Sequence, residues 1–298
     1  MIELEKVKAQ IKNFVQECND KKCLELLDKL STGKMLRSKL VIKIAGSSEE
    51  SIKLCAVIEM IHAASLLHDD VIDESDTRRG KPSVNALYDD KTAIMFGDVL
   101  YSKAFTELSK MPTEVATTVS SAVTLLSIGE MLDVDLTKEF NTSYEKYLDM
   151  IYKKTASLIE ASAKAAAILV NKDKDKFALY GKNLGLAFQM IDDILDITQD
   201  SQTLGKPALL DFVEGKVTIP YLLLHQRIDE KSKLEALYKK ELSKEDSLWI
   251  QKQMKDTKAL EDSINQAKAL GLEAIKAVEN EKDDSLVQIM KAMIEREF

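Results

Sequence analysis

Two stretches of this chain carry the same acidic pattern. Leu67-His68-Asp69-Asp70-Val71-Ile72-Asp73 and Met190-Ile191-Asp192-Asp193-Ile194-Leu195-Asp196 both read Asp-Asp, two aliphatics, Asp. In a helix Asp69 and Asp73 share a face, as do Asp192 and Asp196. Like charges at that spacing cost a few tenths of a kcal/mol per pair, and Asp is a poor helix former. One such trio would pass for a solvated helix surface. Two near-copies in apolar surroundings predict carboxylates gathered for cations. Mg²⁺ takes oxygen ligands, keeps waters and is held by one or two carboxylates plus substrate phosphates. Two Asp-rich helix faces opposing one another would suit several Mg²⁺ ions bridging a polyphosphate. Zinc is disfavoured, because His62, His68 and His225 form no ligand pair with a cysteine.

Basic residues recur beside the acids. Thr77-Arg78-Arg79-Gly80-Lys81 follows the first trio, Gly205-Lys206 and Glu214-Gly215-Lys216 follow the second, and Lys34 and Arg37 lie upstream. Adjacent arginines offer fork-like donors that fit phosphate oxygens. Any one of these cations alone reads as surface charge. Their repeated position after the acids points to a diphosphate site.

The elements that must position these groups read as helices. Ile2 to Leu30 has apolar residues at helical spacing, and Ile52 to Leu67 is nearly all apolar. Ala93 to Ser109, Glu114 to Leu132, Tyr144 to Val170 and Lys174 to Thr198 follow, with Thr142-Ser143-Tyr144-Glu145 in capping-box form. Period-two alternation is missing, so no sheet is expected. The 298 residues can bury a sizeable core, and without a low-complexity linker residues 1–298 read as one all-α domain. Its core spans about 30–225, and 231–298 is a more charged set of peripheral amphipathic helices. A net charge of −8 argues against a nucleic-acid partner. Three cysteines without zinc spacing suggest reduced thiols in the cytoplasm, and no secretory signal opens the chain. The apolar runs fall short of a ~20-residue membrane span, so no transmembrane segment is expected.

Taken together, the motifs resemble those of the trans-isoprenyl diphosphate synthases, the polyprenyl synthetase family. Asp69-Asp70-x-x-Asp73 with Arg78-Arg79-Gly80 is similar to its first aspartate-rich motif, and Gly185-x-Ala187-Phe188-Gln189-x-x-Asp192-Asp193-x-x-Asp196 to its second. Lys154-Thr155, Gly205-Lys206, Asp211 and Glu214-Gly215-Lys216 fit the intervening and following signatures, so the likeness runs from Gly33 to about Tyr221. The resemblance implies an isoprenoid synthase-type helical bundle with a central active-site cavity, working as a homodimer. It implies a cluster of about three Mg²⁺ ions held by Asp69, Asp73, Asp192 and Asp196, with Asp70 and Asp193 supporting. Arg78, Lys154, Lys206 and Lys216 would hold an allylic diphosphate (farnesyl or geranyl). Lys34, Arg37, His62 and Arg79 would hold isopentenyl diphosphate. Thr155 and Gln189 would face the developing carbocation. By residue type alone, His62 would pass for a core histidine, and Thr155 and Gln189 for ordinary polar helix residues.

One departure stands out. The family's upstream signature usually reads Gly-Gly-Lys-Arg-x-Arg-Pro, whereas this chain has Thr32-Gly33-Lys34-Met35-Leu36-Arg37-Ser38. The two cations survive, while an Arg and a Pro are replaced. Glu130 also stands where many members have Gln.

The implied reaction is ionisation of the allylic diphosphate, attack on the cation by the double bond of isopentenyl diphosphate, and loss of a proton to the released diphosphate. Product length is then a packing question, because each buried methylene gains roughly 0.8 kcal/mol. Ala64 and Ser65 lie just before the first trio, and Ser65 is one turn below Asp69. These small side chains resemble those of long-chain members, such as octaprenyl-type enzymes, rather than the aromatic stopper of short-chain farnesyl or geranylgeranyl synthases. Leu125, Leu126 or Met131 would be the alternative floor. A terpene cyclase would carry a different second motif. A non-catalytic helical partner subunit would be expected to have lost one trio, and both are complete here.

Overall fold

The structure is a computed structural model, and it describes residues 2–198, 209–281 and 284–294. Gly205 and Lys206 lie outside the described residues. The chain is all-α, as the sequence predicts. It divides into two compact units, residues 1–123 with 161–178, and residues 124–160 with 179–298.

The first unit is built on α1 (Ile2–Gln16), α2 (Lys21–Lys29), α3 (Leu36–Ala45), α4 (Glu49–Ile72), the one-turn α5 (Val84–Leu87) and α6 (Asp90–Leu108). The expected single helix over Ile2–Leu30 is two. Asn19 takes a positive φ of 55°, and Asp20 caps the second helix by accepting from the Cys23 amide at 2.8 Å. Helix α4 is the spine of this unit and packs on α1, α3 and α6. Leu54, Ile58, Met60, Ile61 and Leu67 of α4 and Leu100 of α6 are fully buried. His68 sits against Gly97 of α6, where an added Cβ would strike its ring. The His68 Nε2–H donates to the Ile94 carbonyl at 3.1 Å, which fixes the start of the first trio against α6.

The expectation of no sheet is corrected by one small ribbon. Thr77–Arg78 pairs antiparallel with Lys81–Pro82, Arg78 opposite Lys81. The two-residue connection is Arg79-Gly80, with φ of 53° and 72°. A tight hairpin needs positive φ at both central residues, which Gly80 adopts without strain and Arg79 does not.

The second unit contains the C-terminal part of α7 (Thr113–Leu136), α8 (Tyr144–Ile151), a π-helical turn (Tyr152–Ala156), the start of α9 (Ser157–Leu169) and most of α10 (Lys174–Thr198). It continues through α11 (Leu210–Val213), α12 (Ile219–Arg227), α13 (Lys231–Leu237), α14 (Lys244–Asp256), α15 (Ala259–Val278) and α16 (Ser285–Ile294). Ser143, rather than Thr142, caps α8, accepting from the Lys146 amide at 3.2 Å. The helix expected over Tyr144–Val170 is interrupted by the π turn. Helix α15 packs on α12 and α16. Gly271 makes room for Ile294, whose Cγ2 would lie 2.6 Å from an added Cβ.

Two helices are longer apolar segments than the contiguous runs of the sequence suggest. Helices α4 and α7 are long and apolar enough to cross a membrane by length and composition, with 67% and 39% of their apolar windows buried. Charges at the end of α4, and serines and threonines spaced through α7, hide this length from a reading of contiguous apolar runs.

Candidate active site

Each unit carries one acidic trio, and each trio lies in the last two turns of its helix. The negative end of the helix dipole disfavours acids there and would welcome a cation.

In the first unit, Asp73 is the exposed C-cap of α4, Asp69 is half-buried and Asp70 is buried. The Arg78 Nε–H donates to Asp70 Oδ1 at 2.6 Å. Burial raises the Asp70 carboxyl above its ordinary range, and Arg78 opposes that rise. Thus Arg78 reaches the trio from the β ribbon, and Asp70 orients it.

Arg79 turns the other way. Its Nη1 donates to the Ser31 carbonyl at 3.0 Å, and an added Cβ at Gly33 would come within 2.6 Å of the guanidinium. Gly33 is therefore the notch that admits Arg79. Arg37 lies in the first turn of α3, and its Nε is buried without a hydrogen-bond partner among the described residues. Burial and the neighbouring Arg79 bring Arg37 down to about 10, against the pull of Glu59. Burial, followed by the charges of Arg37, Arg79 and Arg78, drives His62 well below the ordinary imidazole range. His62 is thus a neutral ring among three guanidinium groups. A buried, unsatisfied guanidinium donor beside two further arginines is what a diphosphate would complete. Lys34 is exposed in the segment before α3.

Glu59 belongs to this cluster and was not singled out by the sequence. Its Oε1 accepts from the Ser38 hydroxyl at 2.7 Å and the Ser38 amide at 3.3 Å. The available signal was an acid interrupting the apolar run of α4.

Ala64 and Ser65 are both buried, and the Ser65 hydroxyl donates to the His62 carbonyl at 2.9 Å. A cleft in this unit passes Asp70, Arg78 and Lys81, but its α4 wall is Ala63, Leu66 and Leu67 rather than Ala64 and Ser65. Leu126 is buried and Met131 is exposed in the second unit.

In the second unit the π turn carries Lys154 and Thr155. Two glycines clasp it. A Cβ at Gly129 of α7 would run into the Lys154 backbone, and one at Gly185 of α10 would lie 2.5 Å from the Ala156 Cα. Such close backbone approach is available only to glycine, and π turns are frequent at functional sites. The Lys154 ammonium pairs with Asp133 at 2.5 Å and Glu130 at 2.9 Å.

The Thr155 hydroxyl donates to Gln189 Oε1 at 2.8 Å, and Gln189 Nε2 donates to Asp193 Oδ1 at 3.0 Å. Tyr147, which the sequence did not mark, donates its hydroxyl to Asp193 Oδ2 at 2.6 Å. Burial, with the charge of Asp211, pushes the Asp193 carboxyl up to about 8. Asp192 is half-buried, whereas Asp196 is only 1% exposed. Asp196 Oδ2 accepts from the Asp211 amide at 3.2 Å and so fixes the start of α11. Lys216 follows that turn, with its ammonium 3.0 Å from Glu214.

The acidic donors are hard carboxylate oxygens, which fit Mg²⁺. Among the described residues no three acids, histidines or cysteines gather into a complete metal cage. Mg²⁺ asks for none when substrate phosphates and water fill its shell.

The polyprenyl synthetase family model matches residues 20–256. A short chain isoprenyl diphosphate synthase of Methanothermobacter thermautotrophicus is 38% identical over 213 residues, 67% of this chain and 66% of that protein. The crystal structure of octaprenyl pyrophosphate synthase from Helicobacter pylori is similar with a TM-score of 0.94 and 41% identity, covering 99% of both chains. A polyprenyl synthase from Caulobacter crescentus CB15, complexed with calcium and isoprenyl diphosphate, gives 0.89 and 29%, covering 99% of this chain and 95% of that one. The chain belongs to the polyprenyl synthetase family, a family of prenyltransferases that use a divalent metal.

Proposed function

We propose that this protein is a Mg²⁺-dependent prenyltransferase that adds isopentenyl diphosphate to an allylic diphosphate and extends it to a long-chain polyprenyl diphosphate. The observation that carries this reading is the buried Arg37 Nε, without a hydrogen-bond partner among the described residues, beside Arg79 and His62 and one helix away from an acidic trio. Lys34, Arg37, His62 and Arg79 take the diphosphate of isopentenyl diphosphate. Asp69, Asp73 and Asp192 hold Mg²⁺; Asp196, which the resemblance also implies as a ligand, is only 1% exposed and braces the Asp211 turn, as Asp70 and Asp193 brace their own neighbours. Arg78, Lys154, Lys206 and Lys216 take the allylic diphosphate.

Bound Mg²⁺ supplies Lewis-acid stabilisation of the departing diphosphate. The chain's own part is electrostatic. Guanidinium and ammonium groups stabilise negative charge on the leaving oxygen as the allylic carbon–oxygen bond breaks. Thr155 and Gln189 present neutral oxygen dipoles to the carbon cation. The isopentenyl double bond forms the new carbon–carbon bond, and the proton lost goes to the released diphosphate.

Small Ala64 and Ser65, and the likeness to an octaprenyl synthase, support a long product. The likeness to a short chain synthase supports the alternative. Purified protein given Mg²⁺, farnesyl diphosphate and isopentenyl diphosphate is expected to yield a ladder ending well beyond geranylgeranyl length. A single geranylgeranyl-length product overturns the long-chain assignment, and no product favours a non-catalytic subunit. Reduced cysteines support a cytoplasmic location, and exposed Ile94, Met95 and Phe105 along α6 support a homodimer.

A further inference from the structure

Helix α3 begins without a local cap. Its N-cap residue, Met35, is left-handed at φ 48° and offers no side-chain hydrogen bond. The first amides of a helix need acceptors, and an acid near the N-terminus also meets the helix dipole favourably. The acceptor comes instead from α4. Glu59 Oε1 takes both the Ser38 amide, at the third helical position, and the Ser38 hydroxyl. The Cys55 thiol, one turn earlier on α4, donates to the Ser38 carbonyl at 3.6 Å. Ser38 is thus tied to α4 by three bonds, and it directly follows Arg37. A proline at this position, as in the usual signature, could make neither Glu59 bond.

We propose that Glu59 is a positioning residue for isopentenyl diphosphate, capping α3 from α4 through Ser38 and so fixing Arg37 beside Arg79. The inference rests on the reading of Arg37 and Arg79 as the isopentenyl diphosphate site. The Glu59 charge also faces both guanidinium groups and offsets their mutual repulsion. The Arg37 Nε is buried without a partner among the described residues, so a small rotation of α3 would move that donor away from a diphosphate.

The test separates the two substrates and uses a conservative rescue. Glu59→Ala is expected to raise KM for isopentenyl diphosphate about tenfold, the scale of one lost cap, with KM for farnesyl diphosphate within about twofold. Glu59→Gln keeps an acceptor for Ser38 and is expected to stay within about threefold of wild type. Ser38→Ala, which keeps the Glu59 charge and the amide, is expected to fall between them, and it carries the test should Glu59→Ala not fold. Equal rises in both KM values, or no rescue by Gln, would overturn the proposal.

A second readout needs no turnover. With Mg²⁺ chelated, inorganic diphosphate should raise the Tm of wild type and Glu59→Gln, and not that of Glu59→Ala. Wild type that makes no product yet shows this pattern would defeat the prenyltransferase reading and leave Glu59 as the organiser of an anion site. Normal turnover with equal diphosphate shifts in all variants would defeat the role of Glu59 alone.

Discussion

The two acidic trios share a pattern and differ in environment. The first has an exposed Asp73 and a half-buried Asp69, while Asp70 is committed to Arg78. The second exposes only part of Asp192. Asp193 is committed to Gln189 and Tyr147, and Asp196 to the Asp211 amide. The same letters therefore do two kinds of work. At the first trio two carboxylates reach solvent. At the second, one does, and the other two fix the π-turn side chains and the turn that precedes Lys216. The difference teaches that spacing marks the two trios, whereas burial separates carboxylates open to solvent from those held by neighbouring groups.

The largest effects should come from the accessible acids. Asp69→Asn and Asp192→Asn are expected to lower kcat/KM about 10²–10³-fold while Tm holds or rises slightly, since each substitution removes an acid from a helix C-terminus. Steady-state kinetics with thermal melting checks this, and a large Tm loss in Asp192→Asn would erase the contrast with Asp196. Asp196→Ala should act first on stability, costing about 1–3 kcal/mol by urea unfolding, because it removes a buried carboxylate that accepts from the part-buried Asp211 amide.

The pH dependence sharpens the bracing role. The Asp193 carboxyl has an ordinary value of 3.8 and is held at about 8 in the folded protein. Between those values the folded state keeps a proton that the unfolded chain has lost. Stability therefore falls as pH rises through that window. Asp193→Asn should flatten the decline of Tm across the neutral range, an effect of about 2–4 °C, measured without Mg²⁺. An unchanged slope would remove Asp193 as its source. The smallest change is expected at the ribbon. Gly80→Ala should cost about 1 kcal/mol through its positive φ and raise the KM for both diphosphates slightly, because Arg79 lies in the turn and Arg78 directly precedes it.

Much of the site was legible because its parts are local. Asp69 to Arg79 and Gln189 to Asp196 are short runs, and helix periodicity alone puts the first and last acid of each trio on one face. The break after Gln16 was hidden, because the apolar spacing continues across it while Asn19 turns the backbone. The π turn at Tyr152–Ala156 was hidden as well, since its cause lies in Gly129 and Gly185, far away in sequence. Tyr147 and Glu59 looked ordinary for the same reason. Their partners are 46 and 21 residues away.

By itself the sequence determined the helices, the repeated carboxylates, the trailing cations and the family they imply. Only the tertiary structure decided which carboxylates face solvent, which arginine keeps an unfilled donor, and which acid caps α3 in place of a local side chain. The physical reason is range. Periodicity and helix-end chemistry act over a few residues, whereas desolvation and the filling of orphaned donors depend on neighbours that only folding brings together.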